Sequence, residues 1–207
     1  AGDHSSQDRA DQSNDGEIMS FNLLTDPLPD SVEINGTDYL INPDHRTIIR
    51  ILLILEDTTF YDEERRQMAL FLFYKQALED EVIAFEAMMD FIRCYKDEKK
   101  AKEAEKIAFD FEIDSDSIFS AFFQVYAIDL TEVKLHWFKF MALFADLNDG
   151  TPALINLMQI RTAELTSDMS NDQKLRLLAL QKKYQIKKGE DPLSYNAGLA
   201  DQMMRGG

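Results

Sequence analysis

The stretch FDFEIDSDSIFSAFFQVYAIDL, residues 109–130, opens with acids at every second position: Asp110, Glu112, Asp114 and Asp116. An apolar run follows at once. Three chemistries compete for such a pattern: a cation site, a catalytic acid pair, or the start of a helix. A calcium loop of the EF-hand kind needs oxygen ligands at positions 1, 3 and 5, glycine at position 6 and glutamate at position 12. Counting from Asp110, the first spacing fits, but position 6 is Ser115 and position 12 is Ala121. A catalytic pair needs one carboxyl with a raised pKa beside one kept ionised, and no nearby histidine or lysine completes such a set. The helix start explains most. Asp114 or Ser115 can accept a backbone N–H at the N-cap, and Asp116 then sits in the positive first turn. These acids are therefore expected to be structural. Ser117, Ser120 and Gln124 form one narrow polar stripe on the helix that follows. Its other positions are apolar, so it is expected to be buried on most sides, in the core or against a partner.

Reading outward, helical periodicity dominates. HRTIIRILLILED (45–57) carries Ile48, Ile49, Leu52, Leu53 and Leu55 and predicts a buried helix. DEERRQMALFLFYKQAL (62–78) begins with acids where the helix dipole favours them. EDEVIAFEAMMDFIRCYK (79–96) places Val82, Phe85, Met88, Met89 and Ile92 at helical spacing. Three helix starts are predicted by local signals: a capping box at Asp129–Glu132 before VKLHWFKFMALFADL, Thr151-Pro152 before ALINLMQIRTAEL, and a second capping box at Ser170–Gln173 before KLRLLALQKKYQI. In VKLHWFKFMALFADL, Trp137, Phe140, Met141 and Phe144 share a face. Only SVEINGTDYLIN (31–42) breaks the period. Val32 and Ile34 alternate with polar residues, Asn35-Gly36 follows, and Tyr39 and Ile41 alternate again. Asn-Gly suits a type I′ turn, which needs positive φ at both central residues. The expected fold is mainly α: a single helical domain of about six to seven helices, spanning residues 19–188, with a small N-terminal β-hairpin. Residues 1–18 read as a disordered extension or a remnant of expression, 96–106 as a solvated mixed-charge helix end or linker, and 189–207 as a flexible tail.

Composition narrows the function classes. The 207 residues carry 38 acidic and 22 basic side chains, a formal net charge of -16. Nucleic-acid affinity comes mostly from Lys and Arg displacing counterions, so a phosphate-backbone binder is disfavoured, although an acidic DNA mimic stays open. No apolar run approaches the length of a membrane span. Cys94, in FIRCYK, is the one cysteine; it reads as a half-buried structural thiol in a reducing cytosol. His45 and His136 stand without a second His or a Cys at ligand spacing. No phosphate-binding glycine loop or nucleophile elbow is present. The expectation is a non-enzyme with no cofactor, no metal, no nucleic acid and no membrane. The Met- and Phe-rich segments MALFLFY and AFEAMMDFI are core residues or an adaptable apolar groove. For partner contact the residues singled out are Phe71, Phe73, Met88, Met89 and Phe123.

The order of segments resembles a small bacteriophage protein family named for gene product fifteen, encoded in tail gene clusters of siphophages that infect Gram-positive bacteria. The resemblance is carried by FNLLTDPLPDSVEINGTDYLINPDHRTIIR, FDFEIDSDSIFSAFFQVYAIDL, LHWFKFMALFADL and IRTAEL, over residues 19–185. It implies a tail assembly chaperone that binds the tape measure protein, or tail tube subunits, in the host cytoplasm and is absent from the mature virion. It implies no catalytic residue. A structural minor tail or connector protein is the competing expectation, and a homo-oligomer is compatible with either.

Overall fold

The computed structural model describes residues 21–96, 107–147 and 153–186. The expectations for 1–18, for most of 96–106, for Thr151-Pro152 and for the tail from Gly189 lie outside the described residues. Within them, two strands and seven helices follow in order: β1 (Ser31–Ile34), β2 (Thr37–Leu40), α1 (His45–Glu56), α2 (Asp62–Phe73), α3 (Glu81–Ile92), α4 (Ser115–Tyr126), α5 (Trp137–Ala145), α6 (Leu154–Thr162) and α7 (Asn171–Tyr184). The fold is mainly α with one N-terminal hairpin.

The hairpin forms as its sequence demands. Asn35 and Gly36 have φ of 52° and 79°, and Ile34 pairs with Thr37 across the turn. Val32, Ile34, Tyr39 and Ile41 are buried while Glu33 and Asp38 face solvent. A two-stranded ribbon is marginal alone, and β1 packs against α3. No atom lies within 4 Å of where a Cβ on Gly36 would stand. Gly36→Ala therefore meets no clash, and its cost is the left-handed backbone alone. We expect a loss of about 1 kcal/mol, read from the urea midpoint.

Asp44 caps α1, accepting the N–H of Arg46 at 2.9 Å. Of the residues in α1, only Arg50 is exposed, as the near-continuous apolar sequence predicts. The link 57–61 returns the chain so that α2 packs on α1. Acids Asp62, Glu63 and Glu64 fill the first turn of α2.

That helix is shorter than its periodicity predicts. It ends at Phe73, and the chain turns extended at Tyr74. The Asn42 N–H donates to the Phe73 carbonyl at 2.8 Å and the Lys75 N–H to the Leu40 carbonyl at 3.0 Å, so Tyr74 pairs with Ile41. A free sheet edge competes successfully with one more helical turn. The Tyr74 hydroxyl donates to the Ala84 carbonyl at 2.7 Å, tying the same corner to α3. Burial pushes this phenol well above its ordinary pKa.

A second difference lies before α5. Asp129 does not cap a helix. Its carboxylate accepts the N–H of Thr131 at 2.9 Å and the hydroxyl of Thr131 at 2.6 Å in a local turn. After that turn the segment 133–136 passes the start of α1, with the His45 N–H donating to Leu135 O at 2.9 Å and the Trp137 N–H to Pro43 O at 2.7 Å. The N-cap of α5 is His136, whose Nδ1 accepts the Phe138 N–H at 3.1 Å. Its Nε2 therefore carries the proton and donates to Pro29 O at 3.0 Å. One neutral tautomer thus starts α5 and ties it to the segment leading into the hairpin.

Burial, then Lys139, lower the His136 pKa below its usual 6.5, outweighing the Pro29 carbonyl and Asp30. The buried His45, stacked on Phe140, is lowered too, chiefly by burial and despite Asp44. A depressed histidine stabilises the fold fully above the unfolded value and loses that contribution as pH falls. We expect the melting temperature to fall as pH drops from about 6.5 towards 5, and His136→Asn, which keeps a capping oxygen, to flatten that slope.

The core is one cluster with two aromatic centres. Phe140 lies at its first centre, stacked against Phe122 at 5.0 Å, Trp137 at 5.5 Å and Phe144 at 5.7 Å. Phe91 lies at the second, against Phe73 at 5.3 Å and Phe138 at 4.8 Å. Trp137 joins the two, its indole N–H donating to Ile92 O at the end of α3 at 2.7 Å. Cys94, half-buried just after α3, has its thiol pushed up to about 12 by burial, which makes it a poor nucleophile at neutral pH.

Candidate functional site

The four acids of the opening motif separate into two pairs. Asp110 and Asp114 are buried; Glu112 and Asp116 are exposed. Asp110 Oδ1 accepts the N–H groups of Glu112 and Ile113, both at 2.8 Å, and so caps a turn that precedes α4. The Asp110 N–H in return donates to Asp114 Oδ2 at 2.9 Å. Asp114 stands at the N-cap position of α4 without using its side chain there. Its carboxylate turns inward to a cation from the chain itself. Arg161, on α6, reaches it with Nη1 at 2.5 Å and Nη2 at 3.0 Å. The same guanidinium donates from Nη1 to Ala108 O at 3.1 Å and from Nε to Tyr184 O at 2.8 Å. The forked geometry of arginine suits this use. The motif is thus a helix entrance locked by a buried ion pair: Asp110 and Asp114 are structural, although the Asp114 side chain does not make the expected N-cap bond. The two segments FDFEIDSDS and IRTAEL meet at this lock. Nothing in a single sequence links positions 47 apart, so the pair was not legible beforehand.

The lock fixes which face of α4 turns inward. Ile118, Ala121 and Phe122 are buried. At about 100° per residue, Asp116, Phe119 and Phe123 fall on the opposite side. Phe119 and Phe123 stack on each other at 6.1 Å, and Phe123 is 54% exposed. Ile113, one turn earlier, is also exposed. Of the two expectations for α4, burial in the core or against a partner, the core accounts for one face only. This chain covers one face and leaves a stripe of exposed Phe123 and half-buried Phe119 on the other, with exposed Ile113 in the turn before the helix, bordered by Glu112 and Asp116.

The residues singled out for partner contact divide in the same way. Phe73, Met88 and Met89 are core residues, packed between the hairpin, α2 and α3, and are not available at the surface. The segments MALFLFY and AFEAMMDFI therefore form no open groove through these side chains. A helix face apolar over a wide arc looks the same in sequence whether a neighbour or solvent lies beyond it. Phe71, 83% exposed on α2, and Phe123 do lie outside. Phe85 is half-buried beneath the Arg66 guanidinium, 5.2 Å from its ring centre, and Val82 is exposed. Among the described residues, no cluster of His, Cys, Asp and Glu could hold a metal ion, and no helix is long and apolar enough to cross a membrane. A small cleft beside the hairpin is lined by Ile34, Asn35, Thr37, Tyr39, Leu78, Glu79 and Asp80.

The family model for Bacteriophage Gp15 protein matches residues 24–186. The chain belongs to that family, which makes it a bacteriophage protein of the structural or assembly kind. No curated protein and no solved structure matches it.

Proposed function

We propose that this protein is a non-catalytic tail assembly chaperone, which covers an apolar helix of the tape measure protein, or of tail tube subunits, before the tail closes around it. The α4 stripe carries the reading. An exposed aromatic ring, Phe123, stacked on half-buried Phe119 one turn away, is suited to an amphipathic helix laid across it. The acidic border favours a basic partner and opposes non-specific association of like-charged copies. A non-catalytic role accords with the motif's chemistry: Asp114 is engaged by Arg161, Asp110 by backbone amides, and both described histidines by backbone groups. The protein acts, in this reading, in the host cytoplasm during infection or induction of a prophage.

Co-expression with the tape measure protein of the same phage, affinity capture and mass spectrometry of the purified particle test it. Capture, together with absence from the particle, is the expected result. Presence in the particle at fixed stoichiometry would replace it with a structural minor tail or connector protein. A Phe123→Glu variant should keep its melting temperature, because the side chain is exposed. It should lose about 2 kcal/mol of binding, roughly thirtyfold in affinity. Undiminished capture by that variant would remove α4 from the contact.

A further inference from the structure

We propose that the protein self-associates head to tail, with α7 of one copy lying along the α4 stripe of the next. The first observation is that α7 has no buried residue over its 14 positions. A helix of that length is marginal in water on its own, and helices in proteins draw most of their stability from a packed face. Against α6, α7 packs only partly, with Lys174, Leu177, Gln181 and Tyr184 half-buried along its length, and its described hydrogen bonds to α6 gather at its C-terminal end. Gln181 Nε2 donates to Ile160 O and Ala163 O at 3.0 and 2.8 Å, and Arg161 holds the Tyr184 carbonyl. Leu175 is 67% exposed and Leu178 47%, one turn apart on the same side.

The second observation is charge. On a chain of net charge -16, α7 carries Lys174, Arg176, Lys182 and Lys183 against a single acid, Asp172. The α4 stripe is its complement: Ile113, Phe119 and Phe123 between Glu112 and Asp116, in a stretch from Phe109 to Leu130 with no lysine or arginine. Leucines would meet aromatic rings, and ammonium and guanidinium groups would meet carboxylates.

The third is the anchor. Arg161 ties the end of α7 and the start of α4 to one guanidinium, and in that arrangement Leu175 and Phe123 both stay exposed. The stripe is thus open to another copy's α7. Because the two surfaces differ, each copy offers one of each, and the contact propagates to a ring or an open chain. The inference shares α4 with the proposed partner site but does not rest on that reading.

The test is sedimentation of the full chain and two variants, L175E/L178E and F123E, at low and high salt. The wild type should exceed the 23.9 kDa of one chain and dissociate as salt screens the charges. Each variant alone should be monomeric with an unchanged melting temperature. Mixed together, they retain one intact donor and one intact acceptor, and should form a dimer and nothing larger. A monomeric wild type overturns the proposal, as does a variant that still associates alone, or a mixture that stays monomeric. Binding of a monomeric wild type to vesicles containing phosphatidylserine would overturn it in favour of a membrane surface. The L175E/L178E variant keeps the α4 stripe, so it should still capture the tail partner; this separates failure of self-association from failure of the chaperone reading.

Discussion

Arg161→Met lowers the stability of the protein by about 3–5 kcal/mol, the range for removing one partner of a buried ion pair. The loss is large because Asp114 remains, 3% exposed, with its charge no longer compensated. Three further attachments go with the guanidinium: the second arm on Asp114, the carbonyl of Ala108 and that of Tyr184. A hydrogen bond from a charged group contributes about 1.5–3 kcal/mol, so the upper half of the range is expected. Combining Asp114→Leu with Arg161→Met removes the stranded charge and should recover part of the loss. Recovery stays incomplete, because the Asp110 N–H then lacks its acceptor, at a cost of about 1–3 kcal/mol. Equilibrium unfolding of the two single variants and the double, arranged as a cycle, measures the coupling. A loss below about 1 kcal/mol for Arg161→Met would place the pair among solvated surface ion pairs and contradict its burial.

Phe140→Ala is the second large effect, at about 3–5 kcal/mol. The ring is fully buried and touches α1 through His45, α4 through Phe122 and its own helix through Trp137 and Phe144. Its removal opens a cavity bounded by three large planar side chains, which do not collapse into the space easily. Phe123→Ala is the matched control. It deletes the same ring from the same layer of the sequence pattern, but from an exposed site, and should stay within about 0.5 kcal/mol of the wild type. Guanidinium unfolding of both variants gives the comparison. Equal losses at the two positions would mean that the stripe on α4 is covered in the folded protein. That result would also count against its availability for any partner.

Local signals in the sequence determined a good deal here. The Asn35-Gly36 turn, the alternation around it, the Ser170–Gln173 capping box and the buried face of α1 all appear in the structure as their residues predict. The capping box closes with Ser170 N to Gln173 Oε1 at 2.8 Å and Gln173 N to Ser170 Oγ at 3.2 Å. Each of these depends on atoms within a few positions of one another, so the chain's own order encodes it. Helical periods likewise fixed the mainly α class, because period 3.6 is a property of neighbours along the chain.

Tertiary structure alone decided the rest. The end of α2 at Phe73 was set by a free strand edge, and the start of α5 at His136 by a bond to Pro29 and pairing with the entry to α1. The apolar periodicity of α3 and α4 could not say which faces were covered. Met88 and Met89 went inward and Phe123 outward because of where the hairpin, α2 and α5 happened to pack. Above all, the acids of the opening motif needed a partner that no spacing rule could supply. Asp114 could have met a metal ion, a substrate or solvent, and it met Arg161. A carboxylate's chemistry is fixed by its residue type, but its role is fixed by the charge that folding brings within 3 Å of it.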